Sequence, residues 1–262
     1  MKQSITIIGS GWLSTHFIDA HHELFEEIIT TSKTSPPHKR TTDHYFIDIY
    51  ANTQVTLPKT DICLITIPFA RQLKDPWDYT RGITKLMNQF PPYKKIIFTS
   101  STSIYPKTNT LIDETSPVDT SQRATALSAL EQHVLNASNS AFILRISGIC
   151  GFSRNSKKRL KEKEIHDANQ PVNLVHITDI NRIIAHLVQL KKTTKDIINV
   201  TASNHPSRKD YYTYLCKTFN IESPRFISSN APYKKISNKR LITKYQMELS
   251  YPNPLHFHFD HD

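Results

Sequence analysis

This sequence contains little glycine, little cysteine and no long apolar run. Only five of its 262 residues are glycine and three are cysteine. No apolar run approaches the roughly 20 residues that a membrane-spanning helix needs, so we expect no membrane partner. The cysteines lie far apart without a Cys-x-x-Cys pair, which argues against the common zinc spacings and indicates a reducing cytoplasm. We expect Cys63 and Cys150, which sit in apolar runs, to be buried as small hydrophobic side chains.

The charge is strongly positive, with a formal net value of +10. The cations concentrate in "SRNSKKRLKEKE" at 153–164 and in "PYKKISNKR" at 232–240. Such patches can attract phosphates or nucleic acid. Because acidic residues interrupt the longer run and no helix-turn-helix pattern accompanies it, we expect a solvated surface and no nucleic-acid partner.

The chain ends in "HFHFDHD", which places His256, His258 and His261 near carboxylates. Histidines and carboxylates are ligands that zinc accepts. Chain ends of this kind are usually poorly ordered, so we expect a frayed, exposed tail and no metal site.

Strand-like and helix-like segments alternate along the first part of the chain. Continuous apolar runs such as "SITIIG", "DICLITIP" and "KKIIFTSST" predict buried strands, and segments such as "TSQRATALSALEQHVLNA" predict helices. This alternation is typical of an α/β protein with a doubly wound parallel sheet that helices cover on both faces. Beyond about residue 151, basic loop sequence replaces the regular alternation of strands and helices. We therefore expect a main domain over 1–152 and a smaller α+β lobe over 153–262, partly interleaved with the first domain.

The stretch "ITIIGSGWLS" is close to the dinucleotide fingerprint G-x-G-x-x-G, with Ser14 in place of the third glycine. Gly9 would allow a tight turn out of the first strand, and Gly11 would let a pyrophosphate approach the main chain. The N–H groups that start the next helix, at Trp12 and Leu13, would face the phosphates. We expect Ser14 to loosen the packing of helix on strand slightly. A dinucleotide site is favoured here over a purely structural turn.

The end of the second predicted strand bears on which dinucleotide would bind. An NAD site usually has an Asp or Glu there for the ribose 2′-hydroxyl. The segment "IITTSKTS" has no acid and offers Ser32, Lys33 and Thr34, which suit a 2′-phosphate. We therefore predict NADP in preference to NAD, with an ordinary polar loop as the alternative.

Further segments complete a family pattern: "ITIPFAR", "IIFTSSTSIYP", "ILRISGICGFSR", "VNLVHITDI" and "NVTASNHPSRKDYY". Together with the glycine turn they resemble the extended short-chain dehydrogenase/reductases of the NAD-dependent epimerase/dehydratase kind, and within it an atypical bacterial subgroup. The resemblance covers nearly the whole chain. It implies a Rossmann sheet with a smaller C-terminal lobe, NADP or NAD across the strand ends, a small-molecule substrate and a homodimer.

The resemblance also implies roles for particular residues. Ser101 would orient the reacting carbonyl or hydroxyl of the substrate. From its own place at the end of a predicted strand, Arg145 could pair with a carboxylate or line the cleft. Arg154 could meet a substrate phosphate, although a solvated loop is favoured for it. His176 is a further substrate candidate, although a structural role is favoured for it, and Asp179 is expected in the first turn of a helix. The cofactor contacts would be Gly9, Gly11, Trp12, Leu13, Ser32, Lys33, Thr34, Pro68, Thr99 and Ser100.

The sequence departs from the family at its Tyr-x-x-x-Lys pair, in which the tyrosine is the general acid/base and the lysine lowers its pKa. Aligned on Glu131, the tyrosine falls at Arg123 and the lysine at Leu127, and this helix contains neither residue type. The bacterial subgroup shares the absence. Other candidates for the proton transfer are Tyr105, Arg123 and His176. Arginine hardly deprotonates, so Arg123 would rather bind an anionic substrate or stabilise an oxyanion.

Two functions therefore stay open. The first is an NAD(P)-dependent, epimerase/dehydratase-like oxidoreductase that acts on a small polar or sugar-derived metabolite, with Ser101, Tyr105 and Arg123 as catalytic candidates. The second is a catalytically silent dinucleotide-binding regulator or interaction protein. We favour the first, and a titratable group within reach of Ser101 would support it.

Overall fold

The computed structural model describes residues 2–34, 36–51, 54–70, 72–90, 92–162 and 164–260, without the side chain of Lys158. Their contacts divide the chain into two compact units. The first unit comprises Met1–Ile104, Val118–Arg145 and Asn181–Ile198. The second comprises Tyr105–Pro117, Ile146–Ile180 and Asn199–Asp262. Each unit therefore draws on three separate stretches of chain.

The strands of the described chain are β1 (Gln3–Ile8), β2 (Phe25–Ser32), β3 (Asp43–Phe46), β4 (Ile62–Ile65), β5 (Lys95–Ser101), β6 (Leu111–Ile112), β7 (Ala141–Ile146), β8 (Gly148–Cys150), β9 (Glu164–His166), β10 (Leu174–His176), β11 (Lys195–Val200), β12 (Arg225–Ile227) and β13 (Lys235–Ile236). The α-helices are α1 (Trp12–His21), α2 (Trp77–Met87), α3 (Gln122–Ala137), α4 (Ile177–Gln189), α5 (Arg208–Phe219) and α6 (Lys239–Tyr245). The 3-10 helices are His22–Leu24, Thr102–Ile104, Lys157–Lys161 and Pro254–His256.

The first unit is organised around a seven-stranded sheet in the order β11-β7-β5-β4-β1-β2-β3. The β1·β2, β1·β4, β2·β3 and β4·β5 pairs are parallel. All residues of β4 and β7 are buried, as expected for strands covered on both faces. The strand order reverses between β1 and β4, which is the position where doubly wound sheets bind ligands. The predicted α/β fold class is confirmed.

A buried lysine joins the sheet to a helix in this unit. Lys95, at the start of β5, is only 7% exposed. Its Nζ donates to the carbonyls of Leu187, Val188 and Leu190 at 2.6 to 2.8 Å. Two of these carbonyls lie in the last turn of α4 and the third directly follows it, where helix carbonyls lack intrahelical donors, so the ammonium group complements the negative end of the helix.

The second unit contains short parallel strand pairs and the helices α5 and α6. The pairs are β6·β13, β8·β10 and β9·β12. Helix α5 begins at an N-cap serine, Ser207, whose hydroxyl accepts from the backbone nitrogen of Asp210. The buried core of this unit includes Cys150, Leu160, Ile165, Tyr211, Leu215, Phe257 and Phe259.

The C-terminal segment is part of this core. Phe257 and Phe259 are each 1% exposed. The Tyr214 hydroxyl donates to the carbonyl of Phe257 at 2.6 Å. The expectation of a frayed tail is therefore wrong up to residue 260, because alternate aromatic side chains of the tail are buried; His261 lies outside the described residues.

Other expectations about composition can be compared with the structure. Cys63 and Cys150 are 0% and 4% exposed, which confirms that they are buried. Within the described ranges, no helix is both long and apolar enough to cross a membrane. The same residues contain no group of three or more potential metal ligands among His, Cys, Asp and Glu side chains.

We predict that Phe257→Ala lowers the free energy of unfolding by about 3–5 kcal/mol, because truncation leaves a cavity in the core of the second unit. Leu111→Ala, at a side chain 63% exposed in the same unit, is the control. It should change the free energy of unfolding by no more than about 0.5 kcal/mol. Urea denaturation followed by circular dichroism measures both. Equal losses in the two variants would contradict the assignment of the tail to the core.

Candidate functional site

The turn between β1 and α1 requires glycine at its first position. Gly9 has φ of +105°, a conformation that side chains disfavour. A Cβ atom there would lie 2.8 Å from Cγ1 of Ile67 and 2.9 Å from its backbone nitrogen. Thr66 Oγ1 donates to the Gly9 carbonyl at 2.6 Å. The chain that leaves β4 therefore passes directly against the turn.

Gly11 lacks a side chain for a different reason. A Cβ atom at Gly11 would meet no protein atom within 4 Å. Its φ of −112° is open to other residues. Neither packing nor backbone conformation therefore demands glycine at this position. The open space lies at the N-terminus of α1, where helix N–H groups attract phosphates, so the turn fits a pyrophosphate.

Ser14 holds the turn together with hydrogen bonds. Its side chain is 0% exposed. Its Oγ accepts from the Gly11 nitrogen at 2.8 Å and lies 2.8 Å and 2.9 Å from the carbonyl oxygens of Gly9 and Gly11. One hydroxyl thus links the helix to both glycines. These hydrogen bonds fix Ser14 within the turn, and the slight loosening of helix on strand expected here stays a prediction.

A cleft of about 330 Å³ lies beside the turn. Its lining residues are Ser10, Gly11, Trp12, Thr15, Pro36, Pro37 and His38. The Trp12 indole lies 4.4 Å from the imidazole of His16 between ring centroids. His38 is held by a contact of 3.2 Å from Nε2 to Oδ1 of Asp19. The cleft therefore combines aromatic and proline walls with the electropositive end of α1.

The ends of β2 and β3 bring an acid to the predicted 2′-phosphate position. Ser32 is buried, whereas Lys33 and Thr34 are exposed. The Lys33 Nζ lies 2.8 Å from Oδ2 of Asp48. Asp48 follows β3, and the parallel register sets Ser32 beside Phe46, so the two strand ends are neighbours. A search for an acid at the end of β2 alone misses Asp48, because it lies beyond the next strand.

The loop after β4 is held by an aromatic stack. Phe69 stacks on Tyr79 with ring centroids 4.7 Å apart, and the guanidinium carbon of Arg123 lies 3.8 Å from the Phe69 centroid. Arg123 also donates to the carbonyls of Phe69 and Ala70 at 2.7 and 2.9 Å. Pro68 is exposed in the same loop. Arg123, predicted as a catalytic candidate, thus binds main chain.

Two hydroxyl groups at the end of β5 have different roles. Thr99 Oγ1 donates to the Ile65 carbonyl of β4 at 3.1 Å and joins the two strand ends. Ser101 is half-buried, and its Oγ accepts from the Ser103 nitrogen at 3.1 Å. Because this bond uses a lone pair of the oxygen, the Ser101 proton can be donated to a ligand.

A buried ion pair lies behind β5. Glu131 of α3 is 0% exposed and Arg145 of β7 is 4% exposed. Arg145 Nη2 lies 2.6 Å from Glu131 Oε2, and Ser100 Oγ donates to Oε1 at 2.5 Å. Arg145, predicted at the substrate, is therefore in the interior of the first unit. Glu131 is the single acid of helix α3 and lies on its buried face. In the sequence this acid was only a reference point for alignment, and its ion pair was not predicted.

Two other predicted site residues belong to the second unit. Tyr105 is 2% exposed, and its hydroxyl donates to Oδ1 of Asn199 at 2.9 Å. Its carbonyl accepts from the Nζ of Lys234. Arg154 is exposed, and its backbone pairs with Gly151 in an isolated bridge. The phenol of Tyr105 is thus an interior group, whereas Arg154 remains accessible in its own unit.

His176 is an interior histidine of the second unit. It is 0% exposed, and its ring lies 3.9 Å from that of Tyr251. Its Nε2 is 3.2 Å from the carbonyl oxygen of His258. A Cβ atom at Gly151 would come within 2.5 Å of Nε2, so the imidazole is closely covered. Burial lowers the pKa of His176 to about 4, so it is neutral at pH 7.

Asp179 lies in the first turn of α4, as expected. Its carboxylate is 1% exposed and accepts from the backbone nitrogens of Ser250 and Tyr251 at 2.7 and 3.0 Å. The acid therefore ties the C-terminal segment to the start of α4. This partner lies 71 residues along the chain, and local sequence carries no signal for it.

The structure groups the predicted cofactor residues at one edge of one sheet. They end or follow the neighbouring strands β2, β1, β4 and β5, whose parallel direction puts their carboxyl ends together. These residues are Gly9, Gly11, Trp12, Leu13, Ser32, Lys33, Thr34, Pro68, Thr99 and Ser100, with Ser101 next to them in the chain. Tyr105, Arg154 and His176 belong to the second unit instead.

Solved structures share this fold over almost the whole chain. UDP-glucuronic acid 4-epimerase from Bacillus cereus, in complex with NAD, has a TM-score of 0.75 at 17% identity and covers 97% of each chain. The human epimerase family protein SDR39U1, with NADPH, has a TM-score of 0.74 at 14% identity and covers 96% of each chain. The protein thus has the Rossmann-type fold of the epimerase/dehydratase proteins.

A curated relative carries the resemblance further. Protein YeeZ of Escherichia coli (strain K12) is 27% identical over 270 residues, covering 97% of this chain and 98% of YeeZ. No family model matches the chain. The resemblance inferred from the sequence is confirmed: the chain is similar to YeeZ over nearly its whole length and shares the fold of the epimerase/dehydratase proteins.

We predict that Ser14→Ala lowers the free energy of unfolding by about 1 kcal/mol, because the hydrogen bonds of the buried Ser14 hydroxyl with Gly9 and Gly11 are lost. Chemical denaturation of the purified protein measures the change. Ser103→Ala, at an exposed side chain, is the control and should stay within about 0.5 kcal/mol of the unsubstituted protein. An unchanged free energy in Ser14→Ala would show that the hydroxyl does not hold the turn.

Proposed function

We propose that this chain binds a nicotinamide dinucleotide at the β1–α1 turn and acts as an NADP-dependent, epimerase/dehydratase-like oxidoreductase on a small polar or sugar-derived metabolite. The observation that carries the proposal is the turn. A side chain at Gly9 would collide with Ile67, and Ser14 fixes the main chain by hydrogen bonds. Gly11 leaves open space at the N-terminus of the helix. This combination suits the close approach of a pyrophosphate.

The structural neighbours support the class of cofactor. One was solved with NAD and another with NADPH. In this chain, Gly11, Trp12 and Leu13 would hold the pyrophosphate, and Lys33 would meet a 2′-phosphate. The cofactor, when bound, supplies a hydride acceptor or donor. The exposed ammonium group of Lys33 is the reason for proposing NADP before NAD.

Ser101 is the residue that we propose to face the substrate. It ends β5 at the same sheet edge as the glycine turn, and its oxygen already accepts from the Ser103 nitrogen. A hydroxyl fixed in this way can donate its proton to a substrate carbonyl or hydroxyl and orient it. The neighbour from Bacillus cereus is a UDP-glucuronic acid 4-epimerase, which supports sugar nucleotides as the first substrates to test.

A second candidate function is a dinucleotide-binding regulator without redox chemistry. The observation in its favour is that all three acid/base candidates are hydrogen-bonded within the protein or buried. Arg123 donates to two carbonyls, Tyr105 donates to Asn199, and His176 is fully buried. A proton carrier for the oxidoreductase would then have to be the substrate, a water molecule or a residue outside this set.

We predict that NADPH quenches or shifts the fluorescence of Trp12, which lies in the turn. Trp77→Phe removes the other tryptophan, so the signal reports on Trp12 alone. Gly11→Asp in this background should weaken NADPH binding by at least about 100-fold, because a side chain and a negative charge then occupy the phosphate position. Calorimetric titration provides a second readout of binding.

Circular dichroism and thermal unfolding of Gly11→Asp serve as the control, since its side chain would point into open space and leave the fold intact. A folded Gly11→Asp variant that binds NADPH as well as the Trp77→Phe protein would contradict the proposed turn site. Failure of the Trp77→Phe protein to bind either NADPH or NADH would overturn the proposed function.

We predict turnover of at least one compound in a panel of sugar nucleotides, aldehydes and ketones, measured by NADPH absorbance and by chromatography of the products. Ser101→Ala should lower kcat by about 10- to 100-fold, because the substrate loses its orienting donor. Its Kd for NADPH should not change. Tight NADPH binding without turnover of any compound would favour the regulator.

A further inference from the structure

A cavity of about 340 Å³ lies in the first unit, at the edge of the sheet where β4 and β5 begin. Its inner wall includes Cys63 and Ile96 of these strands and Tyr93, which precedes β5. Cys63, Ile96 and Tyr93 are 0%, 2% and 8% exposed. The proposed dinucleotide site lies at the carboxyl ends of the same strands, so the cavity is at the opposite edge of the sheet.

The ends of two helices border the outer part of the cavity. Met87 and Asn88 lie where α2 ends, and His133, Asn136 and Ala137 lie at the end of α3. Asn88, Asn136 and Ala137 are exposed. An apolar interior with a few polar groups around its entrance is the usual construction of a small-molecule pocket.

The lining of the cavity disfavours an ion. Among the described residues that line it, none is Asp, Glu, Lys or Arg. Burial raises the pKa of the Cys63 thiol and of the Tyr93 phenol, so both side chains are uncharged at pH 7. Since a charge without a partner is costly to bury, a ligand of this cavity is expected to be uncharged.

The inner wall contains a polar group without a hydrogen bond. Within the described part of the chain, the buried hydroxyl of Tyr93 has no hydrogen-bond partner. Its polar neighbours are Thr6 and Cys63. The Thr6 hydroxyl already shares a hydrogen bond of 2.9 Å with that of Thr60, and a thiol is a weak acceptor. An oxygen atom of a ligand that reached this wall would give the phenol the acceptor that it lacks.

We propose that this cavity is a second small-molecule site, which takes an uncharged molecule with a single aromatic or alicyclic ring and a carbonyl oxygen. The ring would pack on Ile96 and Met87, and the carbonyl oxygen would accept from the Tyr93 hydroxyl. None of the residues predicted to contact the cofactor is among the described residues that line the cavity. The inference therefore stands or falls separately from the proposed function.

The test uses three small molecules with nearly the same shape. Acetophenone has the carbonyl, α-methylstyrene has a methylene group in place of the oxygen, and 1-phenylethylamine has an ammonium group at pH 7. The chain contains three methionines, so NMR of protein with labelled methionine methyl groups gives few signals. Met87 lines the cavity, and Met247 of the second unit is the internal control. Met87→Leu assigns the signal of Met87.

Acetophenone should shift the Met87 signal with a Kd below about 1 mM and leave the Met247 signal unchanged. Relative to acetophenone, α-methylstyrene should bind about 3- to 10-fold more weakly, because it lacks the acceptor. The amine should bind at least about tenfold more weakly, because its charge finds no partner in the cavity.

Tyr93→Phe should weaken acetophenone by about 3- to 10-fold and change α-methylstyrene by less than about twofold. This variant should stay folded, because the hydroxyl that it removes has no partner. Tyr50→Phe, at a tyrosine 47% exposed in the same unit, is the matched control and should leave both affinities unchanged. Ala137→Phe places a larger side chain at the entrance and should weaken acetophenone and α-methylstyrene alike.

Three outcomes would overturn the inference. The first is the absence of any Met87 shift with all three molecules up to their solubility limits. The second is an amine that binds as tightly as acetophenone, which would contradict an uncharged ligand. The third is an affinity for acetophenone that neither Tyr93→Phe nor Ala137→Phe changes. Binding of NADPH is measured separately, and none of these outcomes bears on it.

Discussion

The contact of Gly9 with the chain leaving β4 is the constraint on which the candidate site depends. A side chain at Gly9 would collide with Ile67, and Thr66 donates to the carbonyl of Gly9. This contact occurs where the strand order reverses between β1 and β4. It brings the helix that follows β1 and the loop that follows β4 to one edge. Ser14 then adds hydrogen bonds that hold the turn in one conformation.

The polar residues behind this edge support it from inside the unit. Glu131 and Arg145 form an ion pair with almost no exposure to solvent. Such a pair is tolerated only when hydrogen bonds satisfy it, and the hydroxyl of Ser100 supplies one of them. The end of β5 is thereby attached to α3 and β7. Ser101, the next residue, is carried on a rigid strand end, which is what a group that orients a ligand requires.

Arg123, one of the residues predicted for catalysis, has a structural role in the first unit. The guanidinium lies on Phe69 and donates to the carbonyls of Phe69 and Ala70. Arg123 therefore stabilises the loop after β4. The oxidoreductase and the regulator share the same turn and differ only in whether a hydride is transferred once the dinucleotide is bound. Measurements of binding and of turnover consequently address separate parts of the question.

Local sequence determined the strands, the helices and the glycine turn, because hydrophobic periodicity and the demand for positive φ at Gly9 act over a few residues. It also indicated the group of cofactor residues, since parallel strands place their carboxyl ends together. Only the tertiary structure decided which partners the polar side chains take. Asp48 reaches Lys33 across a strand, Arg145 turns inward to Glu131, Asp179 holds the backbone of Ser250, and the aromatic tail enters a core. These contacts join residues that are distant in the chain, and their energies depend on burial and direction, which the order of residues does not state.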